Sequence, residues 1–343
     1  MQPPLQGIRI VEFEGLGPGP LAGRMLADMG AEVTVVARPQ RGAVAGVLGG
    51  DKPSPLRRGK TLLPLDLKQP AGLAEAMRLV EAADGLIEGN RPGVMERLGL
   101  GPADCAARNP ALVYGRMTGW GQSGPLAQTA GHDLNYVALT GMLSLSARPG
   151  EAPMLPPTVL GDAGGALGLA FGMVCAMLDA RATGRGRVVD GAIVDMVAML
   201  GSIALWVRNN GQLDGDGPSP FHHSPFYDVY VCADGGFITI GALEPQFYAL
   251  LLDKLGFDDV DAASQYDHAA WPALKARFTA LFASQPRAHW DGLLGGTDVC
   301  YAPVLSIAEA ARHPHNVARG LFVEGADGTL DTTGAPRFQA SAT

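Results

Sequence analysis

The N-terminal part of the chain follows a strand, helix, strand pattern with a glycine-rich turn where the helix begins. Residues 8–13 and 33–37 are short apolar runs of strand length, and residues 21–29 between them have helical spacing. In the turn, residues 15–19, the glycines let the backbone come close to a ligand, and the free N–H groups at a helix start favour anions. Such a βαβ unit predicts a parallel sheet.

Further segments of the same type extend the predicted sheet. Residues 70–82 have helical spacing, and three short runs have the composition of strands, namely residues 62–65, 85–88 and 112–115. We therefore predict an α/β fold. Its large domain, residues 1–205, should be an open Rossmann-like sheet with helices on both faces and should bind the ligand.

A change in composition predicts a second domain. The region around residues 206–225 becomes rich in proline, histidine and aromatic residues, which is typical of a linker. Beyond it, residues 233–236 (ADGG) give a hairpin signal and residues 245–255 have helical spacing. These patterns predict a small α+β domain over residues 226–320, followed by a C-terminal segment, residues 321–343.

Charge and cysteine content exclude several classes of protein. The 343 residues carry a formal net charge of −8, which argues against a nucleic-acid partner because such binding depends on Lys and Arg at phosphates. The four cysteines are far apart and form no zinc motif, so we expect a reducing, cytoplasmic location and no bound metal. Residues 163–180 are apolar but rich in glycine, which predicts a core helix and not a membrane span.

A local excess of positive charge predicts where an anionic ligand binds. The stretch from Arg38 to Lys68 carries two acids and seven basic residues, namely Arg38, Arg41, Lys52, Arg57, Arg58, Lys60 and Lys68. Arg38 follows the second strand, where NAD enzymes usually have an acidic residue for the ribose. A basic residue there favours an adenosine with an additional phosphate, as in NADP or coenzyme A. The alternative for each single residue is a solvated surface charge.

Two residues are candidates for proton transfer, and Glu244 is a third candidate site residue. His132 and Asp162 each lie in a glycine-flanked motif, and two such bases could exchange a proton on opposite faces of one carbon. The alternative for His132 is a hydrogen-bonded structural role, and the alternative for Asp162 is an N-cap of the helix that follows. Glu244 precedes Pro245 at a predicted helix start and has the same cap alternative.

Motifs along nearly the whole chain carry a family resemblance. They are Gly17-Pro18-Gly19-Pro20, Arg57-Arg58-Gly59-Lys60, Leu65-Asp66-Leu67-Lys68, Arg91-Pro92-Gly93-Val94, Glu96-Arg97-Leu98-Gly99, Met117-Thr118-Gly119-Trp120-Gly121-Gln122, Gly131-His132-Asp133-Leu134-Asn135-Tyr136, Gly161-Asp162, Thr183-Gly184-Arg185-Gly186, Glu244-Pro245-Gln246-Phe247-Tyr248 and Ala302-Pro303-Val304. With these motifs the chain resembles the α-methylacyl-CoA racemases of the family III CoA-transferase superfamily.

The resemblance implies a function for each candidate residue. His132 and Asp162 would be the two catalytic bases, and Glu244 would hold the imidazole of His132. Members of the family form interlocked homodimers, in which Glu244 would act across the interface on the other subunit. The acyl-CoA is the substrate, so no separate cofactor is implied. The implied CoA-binding residues are Arg38, Leu65, Asp66, Leu67, Lys68, Gly89, Asn90, Arg91, Arg97, Gly131, Asp133, Leu134, Asn135 and Tyr136.

The chain differs from the racemases of this family at two positions, and three other functions are alternatives to racemisation. Asn90 and Ala163 stand where racemases of this type commonly have aromatic residues, which is expected to alter substrate fit. A histidine at position 132 favours racemisation, since transferase members commonly have an aromatic residue there and use the aspartate that matches Asp162 as nucleophile. CoA transfer is one alternative, a non-catalytic acyl-CoA-binding protein is a second, and an NADP oxidoreductase is a weaker third.

In the expected mechanism, neutral His132 removes the α-proton of one epimer while protonated Asp162 delivers a proton to the opposite face. The backbone N–H groups at the helix start after Asp162 are predicted to stabilise the enolate. An N-cap position would favour the ionised form of Asp162, and burial or the imidazole must therefore counter that effect.

Overall fold

The computed structural model describes residues 2–39, 54–148, 151–215 and 217–339. The chain divides by its packing into two units. The first runs to Ser202 and resumes at Thr333, and the second is Ile203–Thr332. The segment predicted as a separate C-terminal region, residues 321–343, is thus shared between the two units.

A six-stranded sheet forms the centre of the first unit. Its strands are β1 (Arg9–Phe13), β2 (Glu32–Ala37), β3 (Lys60–Pro64), β4 (Gly85–Glu88), β5 (Val113–Thr118) and β6 (Val188–Ala192). The order is β3-β2-β1-β4-β5-β6, and every neighbouring pair is parallel. Because the chain proceeds from β1 to β2 on one side and to β4 on the other, the order reverses between β1 and β4, where α/β sheets commonly bind ligands.

Helices complete the first unit and separate its core into two parts. They are α1 (Pro18–Asp28), α2 (Pro70–Glu81), α3 (Val94–Arg97), α4 (Pro102–Arg108), α5 (Asp133–Leu139), α6 (Gly164–Thr183) and α7 (Ile193–Leu200). Side chains of β1 alternate between the two parts, as expected for a strand with both faces covered. Ile10 packs with Leu26 and Leu169, whereas Val11 packs with Val80 and Leu86.

The structure adds a strand that the sequence pattern did not predict. In β6, Val188 is 52% exposed, and only the last two residues of the strand are buried. The strand therefore lacks the continuous apolar run that identifies β1, β2 and β4. The strand pairs with β5, from Tyr114 opposite Val188 to Thr118 opposite Ala192. It is the last strand in the order of the sheet and therefore lies at its edge.

Helix α6 lies against the sheet and packs closely on α7. A Cβ at Gly165 would lie 2.7 Å from Ile193 Cγ1, and one at Gly168 would lie 2.3 Å from Met196 Sδ, so a larger residue at either position would require the α7 side chain to move. By length and composition alone, Val159–Thr183 could cross a membrane, which is weak evidence because buried core helices pass the same test. Leu169 and Met173 on α6 are fully buried in the core of the first unit.

The second unit has an aromatic core beneath a small antiparallel sheet. Strands β7 (Tyr227–Val231), β8 (Phe237–Gly241) and β9 (Tyr301–Val304) pair in that order. Helix α8 (Ser202–Asn209) begins at the division between the units, and later elements are α9 (Pro245–Leu255), α10 (Trp271–Phe282), α11 (Arg287–Leu294), α12 (Ile307–Arg312), α13 (Pro314–Ala318), β10 (Phe322–Glu324) and β11 (Leu330–Thr332). The fold is α/β, with a parallel sheet and smaller antiparallel sheets.

Candidate active site

A cleft of about 400 Å³ lies in the first unit at the carboxyl ends of β1, β4 and β5. Residues 15–20, which follow β1, line one part of it, and residues 89–92 and 119–120 line others. His132 and Asp162 both line the cleft as well. Parallel strands all end at the same edge of their sheet, which is why segments so distant in the chain meet here. The structure thus brings the two predicted bases to one cavity.

Asp162 is carried by a single π-helical turn, Val159–Ala163, that leads into α6. The structural alternative for Asp162, an N-cap of the helix, does not apply, because Asp162 lies within the turn and Ala163 occupies the N-cap position. Opposite its carboxylate is Gly17, whose φ of +69° favours glycine. A Cβ there would lie 3.3 Å from Asp162 Oδ2, so this glycine keeps the space beside the carboxylate open.

The surroundings of Asp162 favour its protonated form. Burial and, second to it, the negative charge of Asp133 raise the pKa of Asp162 to about 6, while His132 acts in the opposite direction. The predicted conflict with an N-cap position does not arise, since Asp162 is not the cap. A carboxyl group with this pKa can hold a proton near neutral pH more readily than an ordinary aspartate.

The backbone N–H groups predicted to stabilise an enolate are used within the protein. The N–H of Asp162 donates to Asp133 Oδ1 at 2.8 Å, and the N–H of Ala163 donates to the carbonyl of Thr158 at 3.0 Å. The N–H of Gly164 donates to the carbonyl of Gly161. The first amides after Asp162 are therefore not the donors of an oxyanion site, because each already has a partner.

His132 occupies the N-cap position of α5 and is exposed to solvent. The backbone N–H of His132 donates to Asn135 Oδ1 at 3.0 Å, and the backbone carbonyl of His132 accepts from the backbone N–H of Asn135 at 2.8 Å. These bonds fix the backbone that carries the imidazole. Asn135 therefore supports His132 through its side chain, in addition to any contact with CoA that the resemblance implies for it.

Tyr136 lines the cleft together with His132, and two glycines leave room for its ring. Its hydroxyl donates to the carbonyl of Gly131, and its ring meets the ring of Trp120 edge to face at a centroid distance of 4.7 Å. A Cβ at Gly119 would lie 2.0 Å from the Tyr136 ring, and one at Gly131 would lie 2.7 Å from it. The glycines that flank the predicted motifs thus let an aromatic residue pack against the backbone.

The segment after β4 is held by a buried glutamate. Glu88 accepts from the N–H of Asn90 at 2.7 Å and from Nε of Arg116 at 3.0 Å, and Arg116 also bonds Glu96 at 2.8 Å. Burial raises the pKa of Glu88, while these donors lower it. Three predicted CoA-binding residues, Gly89, Asn90 and Arg91, consequently line the cleft on a fixed backbone.

Other predicted CoA-binding residues lie outside the lining of the cleft. Arg38 follows β2, and its N–H donates to Glu14 Oε2 at 2.8 Å. Leu65, Asp66, Leu67 and Lys68 follow β3, where Asp66 Oδ1 accepts from the N–H of Lys68 at 3.0 Å. Both segments lie beyond the carboxyl ends of neighbouring strands, at the same edge of the sheet as the cleft. Arg97 ends α3, with its guanidinium near Gly93.

The basic stretch is less available to phosphate than its composition suggests. Lys60 is buried and pairs with Glu12 at 2.5 Å, also donating to the carbonyl of Pro20 at 2.7 Å. Arg57 pairs with Glu14, and Arg58 pairs with Asp28 at 3.1 Å. The prediction that the stretch acts as one phosphate-binding cluster is thus wrong for Lys60. Two of its members, Arg41 and Lys52, lie outside the described residues.

Glu244 belongs to the second unit, where it occupies the N-cap position of α9. Its carbonyl accepts from the N–H groups of Phe247 and Tyr248, and the residue is exposed. Its predicted role in holding His132 remains a prediction.

The sequence reasoning missed the part that Gly17 and Asp133 have in the site. The glycine turn was predicted to approach an anionic ligand, and the structure shows that it also faces Asp162. Asp133 was assigned only to CoA binding, yet its carboxylate bonds the backbone of the turn that carries Asp162. No local pattern in the sequence signals the second role, because the turn that Asp133 bonds lies 29 positions away in the chain.

Comparisons with known proteins give the family and the fold that this chain is similar to. The model of CoA-transferase family III matches residues 5–343. The α-methylacyl-CoA racemase of Homo sapiens is 43% identical over 97% of this chain and 86% of that protein. A probable fatty acyl-CoA transferase of Mycobacterium tuberculosis is 32% identical over 87% of this chain and 82% of the relative. A crystal structure of a Mycobacterium tuberculosis protein superposes with a TM-score of 0.81 at 29% identity, covering 98% and 93% of the two chains.

Proposed function

Because the chain belongs to CoA-transferase family III, and is thus an acyl-CoA enzyme, we propose that it is a racemase that interconverts (R)- and (S)-2-methylacyl-CoA thioesters. The observation that carries the proposal is the presence of His132 and Asp162 on one cleft of the first unit. The 43% identity to the human α-methylacyl-CoA racemase supports the same reaction.

The two bases differ in a way that suits proton exchange at one carbon. The thioester makes the α-proton removable, and neutral His132 takes it from one epimer. Asp162, with a pKa raised to about 6 by burial, returns a proton to the opposite face. In the reverse direction, ionised Asp162 is the base and protonated His132 is the acid. The chemistry thus consists of proton transfer alone, with CoA as a part of the substrate.

CoA transfer is the second candidate, and a specific observation favours it. The Asp162 carboxylate faces the cleft beside the open space at Gly17, where it could attack a thioester carbonyl and release CoA thiolate with formation of a mixed anhydride. The 32% identical relative of Mycobacterium tuberculosis is named a probable fatty acyl-CoA transferase. A histidine at position 132 is the feature that weighs for racemisation.

One experiment separates the two candidates. A single epimer of a 2-methylacyl-CoA is incubated with the protein in deuterated water, with no acceptor acid present. Racemisation predicts deuterium at C2 of both epimers and full recovery of the thioester. Absence of exchange, together with CoA transfer to an added acid or a trapped adduct at Asp162, would establish the transferase instead.

The pH dependence of the reaction should reveal the raised pKa of Asp162. The pair is active for both epimers when His132 and Asp162 together hold one proton, because one group is then the base and the other the acid. The kcat/KM values of the two epimers should therefore depend on pH in the same bell-shaped way. On the acid side both groups are protonated and no base remains. We expect that limb at about pH 6, following the pKa of Asp162, and not at about pH 4, where an ordinary aspartate titrates. An acid limb near pH 4 would show that burial does not tune Asp162.

We also propose that the protein is a homodimer. Three side chains of α6 that lie on one side of the helix are large, apolar and exposed, namely Leu167 at 54%, Phe171 at 70% and Leu178 at 66%. Exposed apolar surface of this kind commonly marks an interface. Phe171→Glu should therefore lower the mass measured by sedimentation equilibrium, whereas Ala74→Glu on exposed α2 should leave it unchanged. A wild-type monomer would refute the proposal.

A further inference from the structure

The carboxylate of Asp133 connects two points of the turn that carries Asp162. Asp133 is the first residue of α5, 29 positions before Asp162 in the chain. Its Oδ1 accepts from the N–H of Asp162 at 2.8 Å, and its Oδ2 accepts from the N–H of Thr158 at 3.1 Å. Each oxygen thus bonds a backbone group of the turn, so the side chain is directed at the protein and not at a ligand in solution.

The backbone of the turn is shaped around this carboxylate. Thr158 has φ of +66°, a left-handed conformation that is costly for a β-branched residue and that persists only when its surroundings hold it. Gly161 leaves room for the carboxylate, since a Cβ there would lie 2.5 Å from Asp133 Oδ1. Both features show that the turn and the carboxylate fit one another closely.

We propose that Asp133 is a positioning residue for Asp162, fixing the π-helical turn and placing a negative charge beside the Asp162 carboxyl group. The inference rests on the proposed function, in which Asp162 exchanges a proton with the substrate. It differs from the role of CoA ligand that the resemblance implies for Asp133. A CoA ligand would affect substrate binding, whereas a positioning residue affects the reaction step.

The charge of Asp133 acts in a definite direction. It is the second cause, after burial, of the raised pKa of Asp162, and it favours the protonated form. The other titratable groups that interact with Asp162 are His132, which lowers its pKa, and Tyr136, whose own pKa is raised by burial and by Asp162. Removing the charge of Asp133 should therefore lower the pKa of Asp162 and move the acid limb of the rate profile to lower pH.

Two substitutions separate the position of the carboxylate from its charge. Asp133→Asn removes the charge but keeps one oxygen that can accept from the N–H of Asp162. Gly161→Ala keeps the charge but displaces the carboxylate, because the added Cβ would lie within 2.5 Å of Oδ1. Asp104→Asn is the matched control, since Asp104 is an exposed carboxylate of α4 that does not line the cleft. For each variant, deuterium exchange, kcat and KM are measured with both epimers over a range of assay pH from about 4 to about 9.

The expected results differ among the three variants. Gly161→Ala should lose about 100-fold in kcat, since a misplacement of about 1 Å commonly costs that factor, with the acid limb unchanged. Asp133→Asn should lose about 10-fold in kcat with KM nearly unchanged, and its acid limb should move to lower pH. Asp104→Asn should behave as wild type.

A raised KM with unchanged kcat and an unchanged limb in Asp133→Asn would overturn the inference and make Asp133 a CoA ligand. If Asp133→Asn does not fold, wild-type kcat in Gly161→Ala would overturn it equally. Failure of the wild type to exchange deuterium is a different result, because it rejects the proposed function and not the contacts of Asp133.

Discussion

Replacing His132 by alanine is expected to abolish interconversion of the epimers while leaving slow deuterium exchange in only one of them. The remaining base, Asp162, addresses one face of the α-carbon, so only the epimer whose proton points at Asp162 can lose it. Asp162→Ala should show the opposite preference. Positioned acid–base groups contribute roughly 100-fold to 10,000-fold to a rate, so any interconversion still detected in either variant should be slower than in the wild type by at least about 100-fold.

The measurement is deuterium incorporation at C2 for each pure epimer, followed by chiral analysis of the recovered acid. His315→Ala is the matched control, because His315 is an exposed histidine of the second unit. Equal exchange of both epimers in His132→Ala would contradict the two-base arrangement, since it would require a single group to reach both faces. Loss of all exchange in both variants would also contradict it.

Lys60→Met is expected to lower the free energy of unfolding by about 3 kcal/mol at pH 8, because it leaves Glu12 buried without its partner. Burial raises the pKa of Glu12 to about 7 even with Lys60 present, and without Lys60 it should rise further. Below about pH 7 Glu12 is protonated in the folded state of both proteins, so their stabilities change with pH in parallel. Above about pH 7 the wild type releases this proton while the variant still holds it, so the additional loss of stability in the variant should grow as pH rises above about 7. At pH 5 the variant should be much closer to wild type.

Urea unfolding at pH 5 and pH 8 measures both effects. The control is Glu12→Gln combined with Lys60→Met, which removes both charges and should recover most of the stability at pH 8. Wild-type stability of the single variant at pH 8 would show that the pair is solvated. The same variant tests the phosphate assignment, because a large rise in KM for the CoA ester without loss of stability would return Lys60 to the ligand-binding residues.

The sequence alone predicted those features that depend on local patterns. Apolar runs and helical spacing predicted β1, α1 and β2 to within a few residues, and the predicted bounds of α9, residues 245–255, agree with the structure. A parallel α/β sheet followed from the βαβ order, because parallel strands need a crossover. His132 and Asp162 were found as glycine-flanked polar residues and through the resemblance. Each of these features is encoded by neighbours in the chain.

Tertiary structure decided the features that depend on partners distant in the chain. The edge strand β6 is identified by its pairing with β5 and not by its own composition. In the sequence Lys60 belongs to a basic stretch, whereas in the structure it is buried beside Glu12, which lies 48 positions away in the chain. Asp162 is displaced from the N-cap by a π-helical turn that Asp133 holds from 29 positions away. The physical reason is the same for β6, Lys60 and Asp162. The periodicity of apolar residues in a sequence indicates which residues are buried, but the charge and position of a side chain depend on the residues that it is buried against.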